Sequence, residues 1–125
     1  MSNSPIWRKG GDLRNRTKAF ALKIAALCDS LPNKRSAWVF GDQALRSGAS
    51  VGAHYREGHR ARSTAEFVSK LEVAIQVLDE SAYWHELIME AGLAPEEDVL
   101  PILSEADELI RIFVSSVKTA KERGR

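Results

Sequence analysis

Basic side chains are the residues of this 125-residue sequence with the clearest chemical potential. They cluster before and within the first predicted helix and at the turn after the second. Guanidinium groups suit phosphate because their planar fork of donors matches its oxygens. No zinc finger or recognition-helix pattern accompanies them, so we predict contacts to the backbone of RNA or DNA rather than to bases. The candidate nucleic-acid-binding residues are Arg14, Arg16, Lys18, Lys23, Arg56, Arg60 and Arg62.

The distribution of charge leaves an alternative for the bases of the first helix. Residues 1–70 carry thirteen basic and five acidic side chains, whereas residues 71–110 carry eleven acidic and no basic ones. The helix-one bases could therefore pair with an acidic stripe on the third helix, within or between subunits. The formal net charge is only +1, so the pattern and not the total indicates a nucleic-acid surface.

A second set of polar side chains is assigned to structural contacts: Arg46, Ser50, His54, Glu57 and Glu80. We expect Glu57 to contact backbone groups or Arg46, and Glu80 to contact a neighbouring helix. His54 and Glu57 have a spacing that a metal could use, but the Glu-x-x-His pairs of ferritin-like sites do not occur. We therefore predict no metal site and no cofactor.

Nucleophilic catalysis has little support in the sequence. Cys28 lies among apolar residues, with no histidine nearby in sequence to activate it. No glycine-rich phosphate loop and no serine on a strained turn occur. We predict that the protein is not an enzyme, and we keep an enzyme or a metal-binding bundle as the third reading. The single cysteine and the lack of a long apolar segment favour a cytoplasmic protein without membrane association.

The elements that must position these residues are all predicted to be helical, because apolar residues recur at intervals of three and four. Helices are predicted at about 12–30, 37–57, 63–91 and 95–122, between a basic N-terminal arm (1–11) and a tail (123–125). Ser63 and Glu66 form a capping box, and Gly92 is typical of a left-handed helix end. The predicted fold is all-α. Because every connection is short, neighbouring helices should run antiparallel, as in a single up-down-up-down four-helix bundle.

The second predicted helix has a face of small residues. Glycine inside a helix costs about 0.5–1 kcal/mol relative to alanine. We therefore interpret Gly48 and Gly52 as positions where another helix crosses closely.

Aromatic residues near the end of the third predicted helix are candidates for a subunit interface, with core packing as the alternative. An interfacial His85 would make assembly sensitive to pH, because the ordinary pKa of histidine is near 6.5. The candidate interface residues are Tyr83, Trp84, His85 and Ile88.

Three blocks of the sequence, at 46–58, 67–71 and 83–93, carry a resemblance to a known family. The sequence is similar to bacterial four-helix bundle proteins first noticed as open reading frames in intervening sequences of 23S rRNA genes. The likeness runs from about Lys18 to Lys121. The chain differs from the family pattern at His54, where asparagine is usual, and at His85, where leucine is usual.

This resemblance implies a homo-oligomeric ring, typically a pentamer, with no established enzymatic activity. It also implies a relationship to the accessory bundle proteins of diversity-generating retroelements, which work with a reverse transcriptase and RNA. We thus expect a non-enzymatic homo-oligomer that binds RNA or DNA through its basic patches, since a ring multiplies phosphate contacts. The alternative is a protein-binding scaffold or accessory subunit, for example of a reverse transcriptase, without nucleic-acid binding of its own.

Overall fold

The computed structural model describes residues 12–124, which form four α-helices and no strand. The prediction of an all-α fold is confirmed. Every helix boundary lies within two residues of its predicted position. The predicted N-terminal arm (1–11) and the last residue of the predicted tail lie outside the described residues. The helices are α1 (Asp12–Asp29), α2 (Arg35–His59), α3 (Thr64–Glu90) and α4 (Glu96–Arg123).

The four helices pack as an antiparallel up-down-up-down bundle, as predicted. Helix α1 lies between α2 and α4, and α3 lies between them on the opposite side. The Cα atoms of the diagonal pairs, α1 with α3 and α2 with α4, stay more than 8 Å apart in the described chain. Contact is most extensive between α2 and α3 and sparsest between α1 and α4.

The predicted end signals of α3 are observed, except that the Glu66 carboxylate accepts from the Arg62 N–H at 2.9 Å and not from that of Ser63. At its start, the Ser63 hydroxyl accepts a hydrogen bond from the Glu66 N–H at 3.1 Å. At its end, Gly92 adopts a φ of 71°, and the Leu93 N–H donates to the Ile88 carbonyl at 3.0 Å. This is a Schellman ending, in which the left-handed residue suits glycine and the following leucine is buried over the helix end.

Helix α1 crosses α2 at the glycines that the sequence singles out. A Cβ atom at Gly48 would lie 2.3 Å from Ile24 Cδ1, and one at Gly52 would lie 3.0 Å from Thr17 Oγ1. Ile24 and Thr17 are both buried. The absence of side chains at these two positions therefore sets the distance between the helices, and the predicted close crossing is confirmed.

Two of the predicted interface residues belong to the core of the single chain. His85 and Ile88 have no exposed surface, and both lie on the face of α3 that points into the bundle. A side chain without exposed surface cannot contact a second subunit while the bundle keeps this fold. The assignment of His85 and Ile88 to a subunit interface is therefore wrong, and the alternative of core packing holds for them.

Candidate nucleic-acid interface

Charge in this bundle is sorted by end rather than by helix. We define the basic end as the first halves of α1 and α3, the second halves of α2 and α4, and the residues 60–63 that join α2 to α3. Between residues 13 and 124, this end carries eleven basic and four acidic residues. The opposite, acidic end carries four basic and twelve acidic residues. The antiparallel topology thus converts charged segments of sequence into an electrostatic polarity along the bundle axis.

Arg16 is a candidate nucleic-acid-binding residue whose guanidinium is already paired with carboxylates of the same chain. Its Nε and Nη2 donate to the two carboxylate oxygens of Glu105 at 3.0 and 2.7 Å, and Glu108 accepts a further bond from Nη2. These carboxylates raise the pKa of Arg16, and the guanidinium is charged and paired with them. The alternative that helix-one bases pair with the third helix within one subunit does not hold for Arg16, because its partners lie on α4.

Glu57 and Arg46 do not pair with each other as expected. Glu57 lies 3.1 Å from Lys70 Nζ on α3 and 3.5 Å from His54 Nδ1 on its own helix. The Lys70 ammonium lowers the pKa of Glu57, with a smaller contribution from His54. Arg46 instead lies 3.3 Å from Asp42 one turn earlier. The i,i+4 partner is closer to Arg46 because Glu57 lies three helical turns away.

The two other residues assigned to structural contacts remain on their own helices. The Ser50 hydroxyl donates to the Ser47 carbonyl at 2.8 Å. Glu80 accepts a bond from Trp84 Nε1 at 3.4 Å, so its expected contact with a neighbouring helix is wrong. Positions i and i+4 are neighbours on a helix surface, so an exposed carboxylate and an indole at this spacing can form a hydrogen bond within one helix.

Five of the candidate bases lie at the basic end and form no ion pair with any residue between 13 and 124. Lys18, Arg60 and Arg62 are exposed, Arg56 is half-buried and Arg14 is buried. Lys23 is separate from this group, because it lies in the acidic half of the molecule beside Glu97 and Asp98. We call the five the free basic cluster: Arg14, Lys18, Arg56, Arg60 and Arg62.

The turn that carries Arg60 and Arg62 is held close to α3. The Arg60 N–H donates to the Arg56 carbonyl at 3.1 Å, which closes the end of α2. A Cβ atom at Gly58 would lie 2.8 Å from Leu71 Cδ1 and 3.2 Å from Lys70 Cβ, so a side chain there would crowd α3. The turn therefore presents its two guanidinium groups from a fixed backbone.

The burial of Arg14 is a feature that sequence reasoning missed. Only 8% of this residue is exposed, and it lies in a groove between α1 and α2 together with Lys18 and Arg56. The spacing of Arg14 in the sequence indicates this burial, because Arg14 precedes the half-buried Ala21 by seven residues and the half-buried Cys28 by fourteen. Two heptads place all three on one side of the helix.

Other reactive groups are engaged in packing. The Cys28 Sγ donates to the Gly41 carbonyl at 3.3 Å, and burial raises the pKa of the thiol to about 11. Cys28 is therefore a thiol and not a thiolate at neutral pH.

Residues 13–124 contain no cluster of three or more His, Cys, Asp or Glu side chains that could hold a metal ion. None of the four described helices is long and apolar enough to cross a membrane.

Comparison with known proteins shows which family this chain is similar to. The family model described as 23S rRNA-intervening sequence protein matches residues 11–115. The chain belongs to the 23S rRNA-intervening sequence protein family. A crystal structure from the S23 ribosomal protein family of Bacteroides thetaiotaomicron VPI-5482, a protein with unknown function, has 32% sequence identity and a TM-score of 0.80. The similarity covers 86% of this chain and 99% of that chain.

A search of curated proteins finds no match to the chain. The match to the intervening-sequence family confirms the predicted resemblance and covers the whole α1/α2 groove and the turn at 60–63. The relationship to retroelement accessory proteins stays a prediction.

Proposed function

We propose that this intervening-sequence family protein is a non-enzymatic nucleic-acid-binding bundle whose basic end contacts the phosphate backbone of RNA or DNA. The observation that carries the proposal is the free basic cluster, five cations at one end without ion-pair partners among residues 13–124. Unpaired surface cations attract a polyanion, and binding gains free energy from the counterions that the polyanion releases.

The expected recognition is independent of base sequence. The exposed aromatic residues Trp38 and Tyr83 lie at the acidic end, away from the free basic cluster. Between residues 13 and 124, the exposed Trp and Tyr side chains are therefore not placed for base stacking beside the phosphate contacts. Arginine and lysine contacts to phosphate fix position without reading sequence.

We further propose that the chain assembles as a homo-oligomeric ring, pentameric as the family resemblance implies. Tyr83 on α3 is 53% exposed, and Trp38 and Val39 on α2 are 64% and 48% exposed. Trp84 packs against Phe40 at 6.1 Å between ring centroids and against Tyr83 at 5.2 Å, which makes a rigid aromatic platform. Exposed apolar surface of this kind favours burial between subunits. A ring would repeat the basic end and multiply its phosphate contacts.

Charge reversal at the α2–α3 turn tests nucleic-acid binding. The variant is Arg60→Glu/Arg62→Glu, and the readout is fluorescence anisotropy of a labelled single-stranded RNA at low salt. We expect binding by the wild type and its loss in the variant. The matched control is Lys34→Glu/Arg35→Glu, which changes net charge equally at the acidic end and should retain binding. No wild-type binding, or equal loss in both variants, would contradict the proposal.

The second candidate function is a protein-binding scaffold, or an accessory subunit of an enzyme such as a reverse transcriptase, without nucleic-acid binding of its own. The exposed side chains of Trp38, Val39 and Tyr83 favour it, because a protein partner could cover apolar surface at the acidic end. An intact oligomer that shifts no RNA at low salt would support this second function over the first.

A further inference from the structure

The groove between α1 and α2 at the basic end has the composition of an anion site. It has a volume of about 330 Å³, within the range of small-molecule sites. Three cations line it, and none of the acidic side chains between residues 13 and 124 does. Its remaining walls are small side chains. The lining consists of Arg14, Thr17, Lys18, Ala21, Ala49, Gly52, Ala53 and Arg56.

Arg14 is the unusual member of this lining because it is buried and its Nε atom has no hydrogen-bond partner among the described residues. This Nε atom is also inaccessible to solvent. Burial raises the pKa of the neighbouring Tyr55, and the positive charge of Arg14 opposes that shift. A guanidinium cannot lose its proton to relieve burial, so an uncompensated one is costly. An anion in the groove, which Arg14 lines, would compensate this buried charge.

The backbone around the groove is fixed before any ligand arrives. Helices α1 and α2 pack closely beside the groove, where a Cβ atom at Gly52 would lie 3.0 Å from Thr17 Oγ1. The Thr17 hydroxyl already donates to the Leu13 carbonyl at 2.8 Å, so it has no free proton for a ligand. The donors for an anion therefore come from the three cations, held on rigid helices. Such preorganisation lowers the free-energy cost of binding.

We propose that this groove is a phosphoryl-binding site, with Arg14 as the buried anchor and Lys18 and Arg56 as flanking cations. Three positive charges favour a group with more than one negative charge, such as adjacent phosphates. An RNA strand and a free diphosphate both present that chemistry. The inference rests on the proposed function where the phosphates belong to RNA, and it holds independently where they belong to a diphosphate.

Binding of inorganic pyrophosphate to the full chain tests the site directly. We expect pyrophosphate to bind the wild type in calorimetry and to raise its Tm. Arg56→Gln should weaken binding about tenfold or more, because a charge-assisted hydrogen bond is lost. Arg46→Gln, a matched change at an exposed arginine outside the groove, should bind as the wild type does. Failure of the wild type to bind, or equal binding by both variants, would overturn the proposal.

Arg14→Met provides a second signature. Methionine fills similar space without a charge, so the variant should raise the Tm of the ligand-free protein and lose the pyrophosphate response. A purely structural Arg14 would give a lower Tm and an unchanged response, which would contradict the anchor role. If the variant does not fold, the Arg56→Gln result decides.

Two outcomes separate this site from the proposed function. If pyrophosphate does not bind but RNA binding depends on Arg60 and Arg62, the groove proposal fails and the nucleic-acid function stands. If pyrophosphate binds at the groove but RNA does not bind, the nucleic-acid function fails and the groove is a site for a free diphosphate.

Discussion

At the residue scale, the buried imidazole of His85 connects core packing to pH. Its Nδ1 lies 2.7 Å from the Ser81 carbonyl, to which it donates, and its Nε2 is buried with no hydrogen-bond partner in the part of the chain described. Burial lowers the pKa of His85 from the ordinary 6.5, and the Ser81 carbonyl only partly opposes this. The folded protein therefore holds His85 neutral where the unfolded chain takes up a proton.

The first prediction follows from that difference. As pH falls below 6.5, the unfolded state gains a proton that the folded state refuses, so the free energy of unfolding decreases until the folded pKa is reached. At pH 5.5 the loss should be up to about 1.4 kcal/mol relative to pH 7.5. Urea denaturation of wild type and His85→Leu at both pH values isolates the contribution of His85 to the free energy of unfolding. An equal change in both proteins would contradict it.

Residue types were easier to predict than residue environments. The sequence identifies His85 and Arg14 as groups of interest, but burial depends on the helices that pack over them. The position of His85 on the apolar stripe of the third helix is compatible with a core and with a subunit interface. Only the packing of the other helices over this face of α3 assigns it to the core of one chain.

At the element scale, the crossing of α1 over α2 depends on the absence of a side chain at Gly48. The second prediction is that Gly48→Ala destabilises the bundle, because its Cβ would lie 2.3 Å from the fully buried Ile24 Cδ1. We expect a net loss of about 1–2 kcal/mol, since overpacking outweighs the gain in helix propensity. Urea denaturation measures it.

Ile24→Val supplies the matched partner for that change, because it removes the clashing Cδ1 atom. The double variant Gly48→Ala/Ile24→Val should lose less free energy than the sum of the single changes. Additive losses would show that the close crossing is not the cause.

The seam between α1 and α4 depends on a polar clamp. The third prediction is that Arg16→Ala lowers the free energy of unfolding by about 1–2 kcal/mol, because it breaks a bidentate, partly buried contact to Glu105. Arg111→Ala removes an exposed pair with Asp107 within α4 and should cost much less. Equal losses in urea denaturation would show that the seam does not depend on Arg16.

Helices and their ends were predictable because their signals are local. Periodicity gave the four spans, and Ser63 and Gly92 marked the ends of α3 through contacts within a few residues. Side-chain partners between helices were not predictable in the same way. Arg16 finds Glu105, 89 positions along the chain, because the topology brings α4 beside α1.

At the scale of the whole molecule, axial polarity explains how a net charge of +1 is compatible with a basic binding surface. The basic segments of α1, α2 and α4 converge on one end only because neighbouring helices run in opposite directions. The sequence shows the charged segments, but their convergence requires the fold. The acidic end repels a polyanion and so orients it toward the free basic cluster.

The fourth prediction concerns assembly. Tyr83→Glu places a charge on the exposed aromatic platform and should reduce the mass of the oligomer measured by light scattering, while circular dichroism remains unchanged. Val114→Glu alters an equally exposed apolar side chain on α4, at the basic end, and should leave the mass unchanged. Equal masses for wild type and Tyr83→Glu would place the interface elsewhere.

The salt dependence of RNA affinity tests the central claim most directly. We predict that log K for the wild type falls linearly with log salt, and that Arg60→Glu/Arg62→Glu reduces the slope by about 0.7 for each lost phosphate contact on a single strand. The slope of Lys34→Glu/Arg35→Glu should equal that of the wild type. Identical slopes for all three proteins, or no RNA binding by the wild type at low salt, would contradict the assignment of the basic end as a phosphate-binding surface.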